Sequence, residues 1–261
     1  MRLTRLASVV ALAALSGCLE REDTTAPSTG TARVRVVHAS PTSSALDVSR
    51  GGAALATALT FAAVSPTAAY GSSPAGPGVL TVKDASGATL FNAQIPLLRD
   101  TAMTIVALGN SGASFAAGSA RTFQPIALRD TAAVPTAGGW LRIVHAADSV
   151  SANAGVATSG VDIYIYPQGS LRPTAAPTAG AGIRIINASY RAVTGYLPLA
   201  AAGAYTVEVF VTGAAPATAT PLVTTSVTLA SLSKATVVAR RALVGASAAP
   251  LSTFGLILLP E

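Results

Sequence analysis

Arg33-Val34-Arg35-Val36-Val37-His38-Ala39-Ser40-Pro41 and Trp140-Leu141-Arg142-Ile143-Val144-His145-Ala146-Ala147-Asp148 are the two stretches that decide the fold. Each is a run of Val, Ile or Leu closed by a His and small residues, the pattern of a strand that ends in a turn. An apolar-Asp-apolar step follows in both, Leu46-Asp47-Val48 and Val161-Asp162-Ile163. Farther on, Tyr70 precedes Gly78-Val79-Leu80-Thr81-Val82, and Tyr196 precedes Gly203-Ala204-Tyr205-Thr206-Val207. The landmarks keep one order, so the chain reads as two copies of one unit. The second copy is longer between His and Asp, and the extra residues fall in the Ser/Ala/Asn/Gly-rich stretch from Ser151 to Gly160. A loop absorbs such an insertion cheaply.

The same type of run recurs along the body, rich in Val, Ile, Thr and Tyr and bounded by Gly, Pro, Ser or Asn. Strands are expected at Arg33 to His38, Val79 to Lys83, Ala102 to Leu108, Ile163 to Tyr166, Ile183 to Ile186, Tyr205 to Val211, Ala235 to Ala239 and Phe254 to Leu259. In Tyr205-Thr206-Val207-Glu208-Val209-Phe210 the odd positions are apolar, which sends Thr206 and Glu208 to the other face. No segment sustains a capped helical period over three turns. Short strands in units of this size predict an all-β chain of two tandem immunoglobulin-like antiparallel β-sandwiches, at 32–130 and 137–261. Pro135 and Gly138-Gly139 mark the link between them.

Ahead of the first unit, residues 1–17 read as a signal peptide. Arg2 and Arg5 give the positive start, and Leu6 to Leu15 give an apolar stretch too short to span a bilayer. Leu15-Ser16-Gly17-Cys18 resembles the lipobox of bacterial lipoproteins, and that resemblance implies a thioether-linked lipid on Cys18. The alternative is a plain secretory signal with an incidental Cys. Each buried methylene of an acyl chain contributes about 0.8 kcal/mol, so two or three chains hold a soluble body at a membrane. Residues 18–31 then serve as a lipidated, flexible tether of Thr, Pro and Ser, reaching at most about 45 Å. The expected location is the cell envelope, and the outer membrane in a host with two membranes, because no Asp follows Cys18 directly.

Composition narrows the function. The chain has 261 residues, of which 51% are hydrophobic and only 11% charged, well below the roughly 25% of an average soluble domain. Loss of Arg2 and Arg5 lowers the formal charge from +6 to +4, and apart from Arg240-Arg241 the basic residues are scattered. Nucleic acid is therefore not an expected partner. One Cys and two His cannot build a disulfide framework or a closed four-ligand zinc site.

The Val-Arg-Val-Val-His-Ala-Ser-Pro opening, the Asp step, and the later Tyr and Gly-x-Tyr-Thr-Val strand resemble the bacterial domain of unknown function 4397 family. The resemblance implies immunoglobulin-like sandwiches, often repeated in secreted or anchored proteins, and implies no activity. The first copy departs from it with Val79-Leu80-Thr81-Val82, and the second with Ala147-Asp148 in place of Ser-Pro.

His38 and His145 share phase with the core-facing residues of their strands, so both rings are expected to point inward and hydrogen-bond the turn that follows. The alternative pairs them with Asp47 and Asp162 as acid-base or metal sites. Arg184-Ile185-Ile186-Asn187-Ala188-Ser189 echoes the His strands with Asn in place of His. Asp100 and Asp130, each in a Leu-Arg-Asp-Thr-Ala sequence, read as strand punctuation with a local Asp-to-backbone bond. Trp140, the sole Trp, reads as a core or interdomain plug. Cys18 is thus the one assigned site, with no catalytic, cofactor or metal residue. The chain is expected to be a non-enzymatic envelope protein, an interaction or structural module joined to the membrane through Cys18. An envelope or extracellular protein is its expected partner. A metal-dependent binder or hydrolytic enzyme using the His-Asp pairs is the alternative.

Overall fold

The structure, a computed structural model, describes residues 30–67, 70–111, 121–130, 132–147, 160–173, 182–214, 217–241 and 255–261. The signal peptide, Cys18 and the tether up to residue 29 lie outside these, as does the 151–159 part of the second-copy insertion. Among the described residues there is no helix, and every regular element is a β-strand.

The first nine strands are β1 (Thr31–His38), β2 (Leu46–Arg50), β3 (Ala53–Leu59), β4 (Val64–Ser65), β5 (Gly71–Pro74), β6 (Val79–Asp84), β7 (Thr89–Gln94), β8 (Ala102–Ala107) and β9 (Ile126–Arg129). They form two sheets. One has the order β4-β1-β8-β9 with β5 also on β1, and the other β3-β2-β6-β7. The next eight are β10 (Gly139–His145), β11 (Val161–Pro167), β12 (Ile183–Ala188), β13 (Leu197–Leu199), β14 (Gly203–Val211), β15 (Val223–Leu229), β16 (Ser233–Arg240) and β17 (Gly255–Pro260). Their sheets run β13-β10-β16-β17 and β12-β11-β14-β15, repeating the first pattern with one difference. β13 pairs with the start of β10 as β5 does with β1, while the counterpart of β4 is reduced to a single bridge between Val144 and Val193.

Alternation explains each core. Val34 and Val36 of β1 meet Leu46, Val48, Leu80, Val82, Met103 and Ile105 between the first pair of sheets. Leu141 and Ile143 of β10 meet Ile163, Ile165, Val207, Val209 and Val237 between the second. The sandwiches are antiparallel with one exception in each: β1 runs parallel to β8, and β10 to β16. Between those two strands the chain crosses to the opposite sheet and back, so it enters the shared sheet twice from the same end.

Alternation sends the other face of β1 and β10 away from their cores, yet that face is also buried. Val37, Ala39, Val106, Leu108 and Leu128 of the first unit pack on Val144, Ala146, Val238, Ile257 and Leu259 of the second. Two inner sheets therefore lie face to face between two distal ones. The link enters β10 through Gly138, whose φ is +59°; a Cβ there would collide with the Leu199 carbonyl, so only glycine fits.

Candidate functional site

The two histidines hold equivalent places. His38 is fully buried; its Nδ1 accepts the Ser40 N–H at 3.2 Å and its Nε2 lies 2.9 Å from the Ser44 carbonyl oxygen, which it meets as donor. Burial lowers its pKa to about 4, against the raising effect of the Ser44 bond, so the ring is neutral at pH 7. His145 Nδ1 accepts the Ala147 N–H at 3.4 Å. Each ring meets an aromatic edge-on, Phe61 at 5.8 Å and Tyr190 at 6.3 Å. Each His carbonyl accepts a backbone N–H, from Ala62 or from Arg191, and both donors sit at positive φ.

The aspartates are engaged elsewhere. Asp47 Oδ1 accepts the Ala58 N–H at 2.8 Å, and Asp162 Oδ1 accepts the Asn187 N–H at 2.7 Å. Ala58 and Asn187 have φ of 48° and 54°, so in both hairpins the carboxylate supports a left-handed residue. Asp162 also accepts the Gly213 N–H and the Thr212 hydroxyl. Each Asp thus serves its hairpin and each His its turn. Asn187 is the equivalent of Ala58 in β3, not of a His, so the echo at 184–189 is a hairpin strand and not a third His strand. Among the described residues, no three His, Cys, Asp or Glu gather as a metal would require.

The densest polar constellation lies between the sandwiches, and it is built twice. In the first unit Arg35 Nε donates to Thr104 Oγ1 at 2.7 Å, and that hydroxyl donates to Asp130 Oδ2 at 2.6 Å. In the second, Arg142 Nε donates to Thr236 Oγ1 at 2.9 Å, and that hydroxyl donates to Glu261 Oε1 at 2.6 Å. The ion pairs then cross the seam. Arg35 Nη2 lies 3.1 Å from Glu261 Oε1, and Arg142 pairs with Asp130 while also lying 3.1 Å from Glu261. The remaining guanidinium donors reach the Pro260 and Arg129 carbonyls, each at 2.8 Å. All four charged side chains are at most 5% exposed, so two positive and two negative charges balance within a nearly dry seam.

Two tyrosines close the ends of this network. Tyr70 donates to Asp130 Oδ2 at 3.0 Å beneath Arg35, and Tyr196 donates to Glu261 beneath Arg142. Burial, then the neighbouring carboxylates, push both phenols well above their usual pKa. Half-buried Trp140 tilts against Tyr196 at 6.4 Å, on the face turned to the seam. Lys234 Nζ donates to the Asp130 and Ala132 carbonyls and pins the link. A cleft of about 270 Å³ opens at one mouth of the seam, lined by Val64, Tyr70, Leu258 and Pro260 beside Arg35 and Glu261.

The expected role of Asp130 is corrected by this arrangement: its carboxylate is buried in the seam and answers Thr104, Tyr70 and Arg142. Asp100, in the matching pentapeptide, stays in an exposed turn beside Arg99. The signal that separates them is position, because Asp130 and Glu261 each directly follow the last strand of their unit.

A second buried charge lies on the distal face of the second unit. Arg172 forks onto Glu208, Tyr166 donates to the same carboxylate at 2.9 Å, and Phe210 packs edge-on against Tyr164 beneath Arg172. Burial acts to raise the Glu208 pKa, but the Arg172 and Tyr166 bonds outweigh it and hold the carboxyl below its usual range. Alternation had placed Glu208 correctly off the core; loops on that side bury it again.

A family model, Domain of unknown function (DUF4397), matches residues 32–152. The resemblance, read from both copies over nearly all of 32–261, is therefore shown for that span, which holds the first sandwich and the opening strand of the second; the rest of the second copy lies outside the match. No curated protein shows significant sequence similarity to the chain. A solved structure described as alpha-glucan recognition by family 41 carbohydrate-binding modules from streptococcal virulence factors aligns at 13% identity. It covers 77% of this chain and 88% of its own, with a TM-score of 0.25. A superposition that loose carries no ligand and no fold across; the sandwiches are read from strand register.

Proposed function

We propose that the chain is a lipid-anchored, non-catalytic module of the cell envelope, whose two sandwiches act as one stiff body that binds or spaces other envelope components. The observation that carries this reading is the crossed quartet of Arg35, Arg142, Asp130 and Glu261. It ties both units across a buried seam and commits to architecture the carboxylates best shielded for acid-base work. His38, Asp47 and Asp162 are committed in the same way, to turns and hairpins.

Topology gives the body an orientation. β1 starts at the tether, and β9 ends and β10 begins at that same end, where Lys234 holds the link. The turns after His38 and His145 lie at the opposite end. With the lipid on Cys18, those turns face away from the membrane and are the first surface met by an envelope or extracellular protein. In a host with two membranes the anchor sits in the outer one.

Fractionation tests the anchor. Cys18→Ala is expected to abolish incorporation of labelled fatty acid and to release the body or stall its processing. A variant that stays in the membrane fraction with the same label overturns the assignment. Substrate turnover by the purified chain, lost in both His38→Ala and His145→Ala, would instead support the hydrolytic or metal-dependent alternative.

A further inference from the structure

An open sheet edge offers a row of unpaired N–H and C=O groups, so how each edge is blunted is informative. The two distal sheets end in four strands: β3, β7, β12 and β15. Three of these are interrupted. Pairing of β3 with β2 slips twice between Leu46 and Ser49, that of β7 with β6 slips between Val82 and Lys83, and that of β12 with β11 slips between Val161 and Ile163. Such slips twist an edge and break its row of donors and acceptors.

β15 has no such interruption. Seven consecutive residues pair with β14, from Val223 opposite Val209 to Leu229 opposite Gly203. The strand reads Val-Thr-Thr-Ser-Val-Thr-Leu, without charge, Pro or Gly. Val227 and Leu229 are buried in the core, while Thr224, Ser226 and Thr228 are exposed. Among the described residues, no strand lies on its outer side. Among the described residues, none of the usual devices that turn away an incoming strand is present on it.

We propose that β15 is a pairing edge and that its partner is β15 of a second copy, antiparallel about a two-fold axis at Ser226. The strand is complementary to itself. The axis sets Ser226 opposite Ser226, Thr224 opposite Thr228, Thr225 opposite Val227 and Val223 opposite Leu229. Exposed hydroxyls therefore face hydroxyls and the apolar row continues across the axis. A charge anywhere on a self-paired strand meets itself or adds a desolvation cost, whereas an edge kept for a foreign strand gains specificity from one. The uncharged sequence fits a copy of itself. Because Leu229 lies at the tether end of the body, the pairing sets the two tethers at opposite ends. The outward direction of the His38 and His145 turns is then that of an unpaired chain, and a pair anchored in one membrane through both tethers lies along it.

The test uses the mature chain with Cys18→Ser, so that lipid does not drive association and the outcome is independent of the anchor. Sedimentation is expected to give twice the chain mass for this protein and the single mass for Ser226→Lys and for Ser226→Glu, each with unchanged circular dichroism. Mixing those two variants is expected to restore the double mass, because Lys then faces Glu. Gln94→Lys, on the exposed end of β7, is expected to keep the double mass. A single mass before substitution, or a double mass that Ser226→Lys leaves intact, overturns the proposal. An edge monomeric at every concentration is one left to a strand from another protein.

Discussion

The two sandwiches share one face and differ in the other. Their inner sheets present the same set, Arg35 with Thr104, Asp130 and Tyr70 against Arg142 with Thr236, Glu261 and Tyr196. Counting from Asp47 and Asp162, however, the distal sheets place Ser49, Thr81 and Lys83 where the second unit has Tyr164, Glu208 and Phe210. The first of these faces is open and polar; the second is covered, with Phe210 completely buried. The inner faces answer one another, so a change in either leaves an unmatched charge in the other. The distal faces answer only to their own loops, and the longer loops of the second unit allow it a small extra core.

The largest expected effect comes from breaking the inner face on one side. Removing one member of a buried charge cluster leaves its partner uncompensated, which costs about 3 to 5 kcal/mol. Asp130→Ala and Arg142→Met are each expected to lose that much in denaturant unfolding, and Arg35→Met a similar amount if the halves are equivalent. A loss confined to one half would show that the repetition is geometric and not energetic. Asp130→Leu combined with Arg142→Met removes charge of both signs and is expected to recover part of the loss.

The next effect tests the distal faces. Phe210→Ala opens a cavity in the covered cluster and is expected to cost about 3 kcal/mol. Lys83→Ala, at the matching position of the first unit, is expected to stay within about 0.5 kcal/mol. Equal costs at the two positions would mean that the first face is covered as well.

The strands and the doubling were legible in the sequence because both rest on local pattern: alternation in Arg33 to His38 and Tyr205 to Phe210, and the same landmarks in the same order. The inward phase of His38 followed from Val34 and Val36 for the same reason. The seam was not legible. Whether Arg35 and Arg142 face water or each other depends on a contact between residues from opposite ends of the chain, and alternation says only that they leave their own core. Asp130 looked like Asp100 because the two pentapeptides are identical; only their place in the strand order, Asp130 after the last strand of its unit and Asp100 in the turn before β8, tells them apart. Glu208 likewise left the core as predicted, and only the loop bearing Arg172 decides that it is buried.

The histidine turns are a feature that the units share, and pH sharpens the comparison. His38 has its folded pKa lowered to about 4 from an ordinary value near 6.5. Above about pH 7 the ring is uncharged in both states and contributes no pH dependence to stability. As pH falls through 6.5 the unfolded chain takes up a proton that the folded chain refuses, so stability declines until about pH 4 by up to about 1.4 kcal/mol per pH unit. Unfolding of wild type between pH 7 and 4 is expected to show this slope, and His38→Gln to reduce it. His38→Leu, which offers neither donor nor acceptor, is expected to cost about 1 to 3 kcal/mol at pH 7, because the Ser44 carbonyl loses its donor and the Ser40 N–H its acceptor. A slope unchanged by the substitution would place the proton uptake elsewhere.

The smallest effect separates the two aspartates. Asp47 gives its Oδ1 to one exposed N–H, at Ala58, where water can replace it. Asp162 is buried and answers the Asn187 and Gly213 N–H groups together with the Thr212 hydroxyl. An exposed hydrogen bond contributes about 0.5 kcal/mol, whereas donors left unmet in a buried site cost about 1 to 3 kcal/mol. Asp47→Ala is therefore expected to be nearly silent in thermal unfolding, and Asp162→Ala to lower the midpoint measurably. Ala58 and Asn187 adopt the same left-handed backbone, so a large Asp47→Ala effect would mean that the carboxylate is needed to hold that conformation at an Ala. The small one expected means that the hairpin geometry holds itself, and that burial alone makes the second aspartate matter.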